Sequence, residues 1–121
     1  MRILPYALTA IAVGMISFST PAHACTTSTW SKLSGNSLAS TIRGRDCSGT
    51  MSVRLIGIIG DTGWLPMYKN GSSNFTAQYG DGTVLTDIKM VTNGATMNVN
   101  FVHKAATGQT YTQGAYHLTG N

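Results

Sequence analysis

Three Asn-Gly or Asp-Gly dipeptides constrain the fold of this chain more than any other feature of its sequence. They are Asn70-Gly71, Asp81-Gly82 and Asn93-Gly94. Such dipeptides favour two-residue type I′ hairpin turns, because both central residues of that turn require a positive φ. A turn of this length also fixes which residues of the two flanking strands lie opposite each other.

The three turns, treated independently, predict one shared apolar face. The predicted cross-strand pairs include Met90/Met97, Ile88/Val99, Tyr79/Val84, Ala77/Thr86, Phe75/Pro66 and Ala77/Trp64. The predicted inner face carries Trp64, Pro66, Phe75, Ala77, Tyr79, Val84, Thr86, Ile88, Met90, Met97, Val99, Phe101 and His103. The opposite face is polar apart from Leu85, Val91 and Val102. Residues 62–103 are therefore predicted to form a four-stranded antiparallel meander.

Further strand-like segments flank this meander. Met51–Ile59 is a mostly apolar run typical of a buried strand, Thr29–Leu33 fits a first strand, and Gln109–Leu118 fits a last strand with a bulge near Gly114. Residues 34–41 fit either a turn or a short helix. We predict an all-β domain, a small antiparallel meander barrel or sandwich of six to seven strands. The barrel is favoured because closure removes exposed strand edges.

The first 24 residues have the three parts of a secretory signal peptide. The positive start Met1-Arg2 precedes an apolar run from Ile3 to Phe18, and Ala22 and Ala24 form a small-residue cleavage site. The apolar run is shorter than the roughly 20 residues that a membrane-spanning helix needs. We expect residues 1–24 to be removed, leaving residues 25–121 as a single β domain without a membrane span, secreted or periplasmic.

The two cysteines, Cys25 and Cys47, are predicted to form the one disulfide of the domain. An oxidising compartment and an even cysteine count favour pairing. The alternative is that Cys25, the first residue after the cleavage site, accepts a lipid. The polar segment between Phe18 and Cys25 favours ordinary cleavage over lipidation.

The composition argues against several classes of function. The chain has eight Lys/Arg residues, one of which is Arg2, and four acidic residues, all of them Asp. No block of basic residues follows the predicted signal peptide. We therefore predict no nucleic-acid partner, because such a module needs a basic stripe with aromatics. No nucleophile-elbow or H-E-x-x-H motif occurs, so we predict neither an enzyme nor a cofactor. Glycosylation of Asn70 or Asn74, each in an N-x-S/T sequon, stays open.

A soft-metal site is one alternative function. Met90 and Met97 are predicted to pair across a hairpin with His103 on the same face, and Trp64 precedes Met67 by three residues. Thioether and imidazole ligands suit Cu(I). Methionine also fills cores, so packing explains the same residues and no metal ligand is assigned.

The segment AATGQTYTQGAY, Ala105–Tyr116, resembles the A-S-G-x-x-Y-x-x-G segment of the MliC/PliC family of bacterial c-type lysozyme inhibitors. The similarity extends over residues 84–116, because the preceding VTNGATMNVNF resembles the family's strand–turn–strand. It implies a small exported β-barrel that plugs the lysozyme cleft, with Thr107 in the family's Ser position and Gly108, Tyr111 and Gly114 matching. The family's W-x-K-G run and late cysteine have no counterpart after Tyr116.

We predict that the partner-binding residues lie near Lys104–Gln109, the longest break after the meander. The predicted residues are Thr107, Gly108, Gln109, Tyr111 and His117. Tyrosine suits an interface because it offers a large contact area and a polar tip. The alternative is that Tyr111 and Tyr116 only pack the last strand.

The predicted function is an exported binding or inhibitory module for a protein partner, lysozyme being one; the alternatives are a cell-surface toxin or effector and a copper-binding protein. No oligomeric state is predicted.

Overall fold

The computed structural model describes residues 25–57 and 60–120, which form nine β-strands and no helix. The predicted signal peptide, residues 1–24, and the last two residues of the predicted strand 51–59 lie outside this part of the chain. The strands are β1 (Thr26–Gly35), β2 (Ala39–Cys47), β3 (Thr50–Gly57), β4 (Gly60–Asp61), β5 (Leu65–Lys69), β6 (Asn74–Asp81), β7 (Val84–Asn93), β8 (Thr96–Ala105) and β9 (Gly108–Gly120).

Eight of these strands close into an antiparallel up-and-down barrel. Each pairs with the next along the chain, and β9 returns to pair with β1; the short β4 lies outside this ring and pairs only with β3. The predicted all-β meander barrel is confirmed, with more strands than expected. Residues 36–38 form a turn between β1 and β2 rather than a short helix. The β9–β1 register shifts between Ala115 and Tyr116, immediately after the predicted bulge position Gly114.

The barrel interior is filled by alternate residues of every long strand. The buried apolar residues are Ala39, Ile42, Val53, Leu55, Ala77, Ile88, Met90, Met97, Val99, Phe101 and Tyr116. Trp30, Leu65, Met67, Phe75 and Tyr79 pack against them. An eight-stranded barrel is just wide enough for side chains to fill it. Most of the predicted inner face is therefore the core of the molecule.

The predicted register is wrong at all three hairpins, although the predicted face is correct at the two that follow β6 and β7. The turns centre on Gly82-Thr83 and Gly94-Ala95, and Ile88 lies opposite Phe101 instead of Val99. Only the glycine of each turn has a positive φ, 61° at Gly82 and 63° at Gly94. Glycine at the first central position with a following residue of negative φ is the type II′ pattern. The resulting two-residue shift of partners preserves the face, because side chains alternate with period two.

The third turn differs more from the prediction than the other two. As a result, the side chains of β5 that were predicted to point outward face the core. Asn70 donates its backbone N–H to the Asn74 carbonyl (2.8 Å), enclosing three loop residues instead of a two-residue turn. Met67 consequently lies opposite Ala77. Leu65 and Met67 pack against the core, whereas Pro66 is exposed. The prediction that Trp64 and Pro66 face inward is wrong, since an odd change in loop length exchanges the two faces of a strand.

The predicted disulfide between Cys25 and Cys47 is confirmed. Its two Cα atoms are 4.1 Å apart. The bond joins the residue before β1 to the last residue of β2, on strands that already pair. It therefore anchors the start of β1 at one end of the barrel, where a strand end would otherwise fray.

Candidate functional site

The filled interior leaves a cavity at each end of the barrel. The cavity at the disulfide end measures about 280 Å³ and is lined by apolar side chains that include Met51, Met67, Met90 and Met97. The cavity at the opposite end measures about 380 Å³ and contains His103. Both cavities reach buried residues of the core, among them Ile42 and Val53 at the disulfide end and Leu55 and Phe101 at the other.

The predicted binding loop is a tight hairpin rather than the longest break in the chain. Strands β8 and β9 are joined by Ala106 and Thr107 alone, and Gly108 already pairs with Ala105. Gly108 has a φ of 133°, in the region that favours glycine. Thr107, Gly108 and Gln109 are all exposed and adjacent, so the structure brings three of the predicted residues together.

Tyr111 projects from the outer face of β9. Its side chain is 67% exposed, and its hydroxyl donates a hydrogen bond to Gln109 Oε1 (2.9 Å). Tyr116, in contrast, is completely buried. The packing alternative therefore holds for Tyr116 and is wrong for Tyr111.

Two further apolar side chains lie on the same outer face, one beside Tyr111 and one a strand further away. Val102 is its direct cross-strand neighbour, and Leu85, 40% exposed, lies on the next strand, β7. We call Leu85, Val102 and Tyr111 the tyrosine patch. Sequence reasoning did not assign Leu85 and Val102 to the site, although they were two of the three apolar exceptions on a polar face. That departure from alternation was the signal that could have found them.

Charged and amide groups border the tyrosine patch. Lys104, opposite both Leu85 and Gln109, forms an ion pair with Asp87. Gln78 donates a hydrogen bond to the same carboxylate (2.7 Å). The hydrogen bonds from Lys104 and then Gln78 lower the pKa of Asp87 below its ordinary value. The patch is thus an apolar centre with an ordered polar rim, the usual anatomy of a protein interface.

His117 does not belong to this site. It shares the outer face of β9 with Tyr111 but lies six residues further along the strand, about 20 Å at the usual rise per residue. Its neighbours are Ser31 on β1 and Thr96 at the start of β8. The prediction that His117 lies with the hairpin residues is wrong, because β9 continues to the opposite end of the barrel, where His117 pairs with Thr96 at the start of β8.

The structure brings the methionines of the copper alternative, Met67, Met90 and Met97, to one cavity, whereas His103 and Trp64 lie elsewhere. Met90 and Met97 line the cavity at the disulfide end. His103 is at the other end, where its ring nitrogens contact the hydroxyls of Thr86 (2.9 Å) and Thr112 (3.0 Å). Trp64 lies outside the barrel, packed against arginine side chains. Within residues 25–57 and 60–120, no three His, Cys, Asp or Glu side chains cluster as metal ligands would.

No family model, curated protein or solved structure matches this chain significantly. Among the residues that the structure describes, no helix has the length and apolarity to cross a membrane. A fold alone does not imply a function, whereas the side chains of a site do limit what it can bind.

Proposed function

We propose that this protein is an exported, non-catalytic binding module that engages an extracellular or periplasmic protein partner through the tyrosine patch. The observation that carries the proposal is the position of Tyr111, a large aromatic side chain 67% exposed on a regular strand. The signal-peptide pattern of residues 1–24 and the disulfide support export.

Tyr111 has the features expected of an anchor in an interface. Its hydrogen bond to Gln109 restrains the ring before binding, so less conformational entropy is lost on association. Val102 and Leu85 extend the apolar area on two neighbouring strands, and the barrel holds all three rigidly. Hot spots in interfaces are enriched in tyrosine and are ringed by polar groups that exclude water. The Asp87–Lys104 pair and Gln109 would supply that ring.

A c-type lysozyme is the most specific partner that we propose. The support is the resemblance of residues 84–116 to the MliC/PliC inhibitors, in which the matching positions include Thr107, Gly108 and Tyr111. These three residues lie on the β8–β9 hairpin, which carries both Tyr111 and Val102 of the tyrosine patch. A protruding hairpin of this kind fits a concave enzyme surface.

The first prediction concerns Tyr111→Ala in the oxidised protein. Truncation should weaken binding to c-type lysozyme, and inhibition of it, by more than about 1 kcal/mol, or roughly fivefold in Kd. Tyr68→Ala is the matched control, because Tyr68 is 63% exposed on the outer face of β5, four strands from Tyr111 around the barrel, at the far side of an outer depression that Val102 also lines. Titration calorimetry and a cell-wall lysis assay would measure the two effects, with thermal unfolding as the check on folding.

Equal losses for Tyr111→Ala and Tyr68→Ala would contradict the assigned site. If lysozyme is not bound at all, the lysozyme form of the proposal is wrong. The general form is then tested by affinity capture with wild-type and Tyr111→Ala baits. A protein retained by the wild type and lost with the variant supports the proposal, whereas identical captured sets refute it.

A further inference from the structure

Three arginines share one patch on the outer face of β2 and β3. Arg43 and Arg45 alternate along β2, and Arg54 lies on β3 directly opposite Arg43. We call Arg43, Arg45 and Arg54 the arginine cluster. Because the ring of strands runs β1, β2, β3, β5, β6, β7, β8, β9, the cluster lies on the opposite side of the barrel from the tyrosine patch.

The indole of Trp64 covers the arginine cluster. Trp64 belongs to the segment that connects β4 to β5 and lies over the outside of the sheet. The guanidinium carbon of Arg45 is 4.1 Å from the ring centroid, and those of Arg43 and Arg54 are each 6.0 Å from it. Cation–π attraction offsets part of the repulsion among these like charges. It also fixes the plane of the Arg45 guanidinium before any ligand binds.

Among the residues that the structure describes, only Arg54 of the three arginines has an acidic partner. Arg54 forms an ion pair with Asp61, whose carboxylate also accepts a hydrogen bond from the Gly63 backbone N–H (2.9 Å). These two contacts lower the pKa of Asp61 to about 2, so its carboxylate stays ionised and paired with Arg54. Neither Arg43 nor Arg45 forms an ion pair with any residue that the structure describes. Arg45 Nε is in addition buried without a hydrogen-bond partner within residues 25–57 and 60–120.

We propose that the arginine cluster binds a phosphate group, with Arg43 and Arg45 as the principal ligands and Trp64 as the support that orients them. Guanidinium groups bind oxyanions through paired N–H donors, and phosphate offers enough oxygens to be shared by two of them. The same chemistry would serve free phosphate or the headgroup of an anionic phospholipid. Partner binding at the tyrosine patch does not require this site.

Inorganic phosphate, titrated at constant ionic strength, tests the site directly. The readout is the shift of the arginine Nε–Hε signals in ¹H–¹⁵N spectra of the oxidised protein. We expect saturable shifts at Arg43 and Arg45, and at least a fivefold loss of affinity in both Arg45→Gln and Arg43→Gln. Lys89→Gln is the matched control, because it removes one exposed positive charge from β7; its affinity should change less than twofold.

Vesicles distinguish the two sources of the phosphate. Sedimentation with vesicles containing phosphatidylglycerol, against vesicles of phosphatidylcholine alone, is measured for the same variants. Arginine-dependent binding to inorganic phosphate supports a free phosphate ligand, and arginine-dependent binding to phosphatidylglycerol vesicles alone supports a lipid headgroup. The variant Arg43→Gln separates loss of a phosphate ligand from misfolding. Arg43 lies further from Trp64 than Arg45 does, so its replacement disturbs less of the packing around the indole. The proposal is overturned if neither probe binds, or if Lys89→Gln loses as much affinity as the arginine variants.

Discussion

The side chain of Tyr116 lies entirely inside the barrel, and its hydroxyl joins β9 to the β1–β2 connection. The hydroxyl donates a hydrogen bond to the Ala39 carbonyl (2.6 Å) and lies 2.6 Å from Ser37 Oγ, which donates to it in turn. A buried hydroxyl costs free energy unless it is paired, and here both of its roles are used. The Tyr116 side chain thus connects β9 to Ala39 and Ser37, which precede it in the chain by 77 and 79 positions.

We predict that Tyr116→Phe destabilises the fold by about 1–3 kcal/mol, because it leaves the Ala39 carbonyl and Ser37 with an unmet hydrogen bond. The ring is retained, so no cavity forms. Urea unfolding at pH 7 measures the effect, and Tyr68→Phe, at an exposed position, should change stability by less than about 0.5 kcal/mol. An unchanged free energy of unfolding in Tyr116→Phe would show that the two buried hydrogen bonds make no net contribution to stability.

The same residue predicts a loss of stability at alkaline pH. Burial raises the pKa of Tyr116 above its ordinary value of 10.0, an effect that the hydrogen bond from Ser37 partly opposes. The unfolded chain therefore releases this proton at a lower pH than the folded protein does. The stabilising contribution is complete below about pH 10 and falls as pH rises towards the folded-state pKa. Tyr116→Phe should flatten this part of the stability profile; an unchanged slope between pH 9 and 11 would contradict the assignment.

At the scale of the strands, the closing pair β1–β9 includes a very close backbone approach. Gly35 of β1 lies opposite Gly114 of β9 and has a φ of 106°. A Cβ on Gly35 would lie 2.3 Å from the Gln113 carbonyl oxygen, a backbone atom that cannot move aside cheaply. Glycine here lets the first and last strands meet closely enough to complete the ladder.

We predict that Gly35→Ala destabilises the protein by more than about 2 kcal/mol, from backbone strain and from separation of β1 and β9. Gly44→Ala in β2 is the matched control, since a Cβ there meets nothing within 4 Å. The control should be neutral or slightly stabilising, because alanine restricts the unfolded chain. Urea unfolding compares the two, and hydrogen exchange of the Ser37 amide, which bonds the Gln113 carbonyl, reports local opening. Similar stabilities for the two variants would exclude a strained closure.

For the whole molecule, the disulfide closes a loop of 22 residues across two strands that already pair. In the chain-entropy description such a bridge contributes about 3 kcal/mol by restricting the unfolded state. We predict a loss of that size in the double variant Cys25→Ser/Cys47→Ser, measured by urea unfolding against the oxidised wild type. Reduction of the wild type should give the same stability as the variant. A loss below about 1 kcal/mol would show that the barrel holds β1 without the bridge.

The barrel also places two chemically different surfaces on opposite sides of one small domain. The tyrosine patch has apolar side chains beside an ion pair, whereas the arginine cluster has two positive charges without acidic partners in the described part of the chain. Because a closed ring of strands separates them, both surfaces can be occupied together. A domain anchored through phosphate on one side would still present its hairpin on the other.

The sequence by itself determined the class of fold, most of the inner face and the disulfide. Alternation of apolar and polar residues along β6, β7 and β8 depends only on the period of a strand, which is local information. The cysteine pairing followed from composition, because two cysteines allow one connectivity. Tyr111 was recognisable as a candidate, and Leu85 and Val102 broke the alternation visibly.

Only the tertiary structure decided the register, the face of β5 and the grouping of the sites. A two-residue hairpin can centre on Asn-Gly or one residue later, and both choices bury the same face, so packing across the closed barrel selects between them. The loop after Lys69 is set by Thr92, which donates its backbone N–H to Ser73 (3.0 Å) from a strand far along the chain. Trp64 meets Arg45 only because a connecting segment lies back over the finished sheet. These outcomes depend on contacts between distant residues, which local periodicity does not encode.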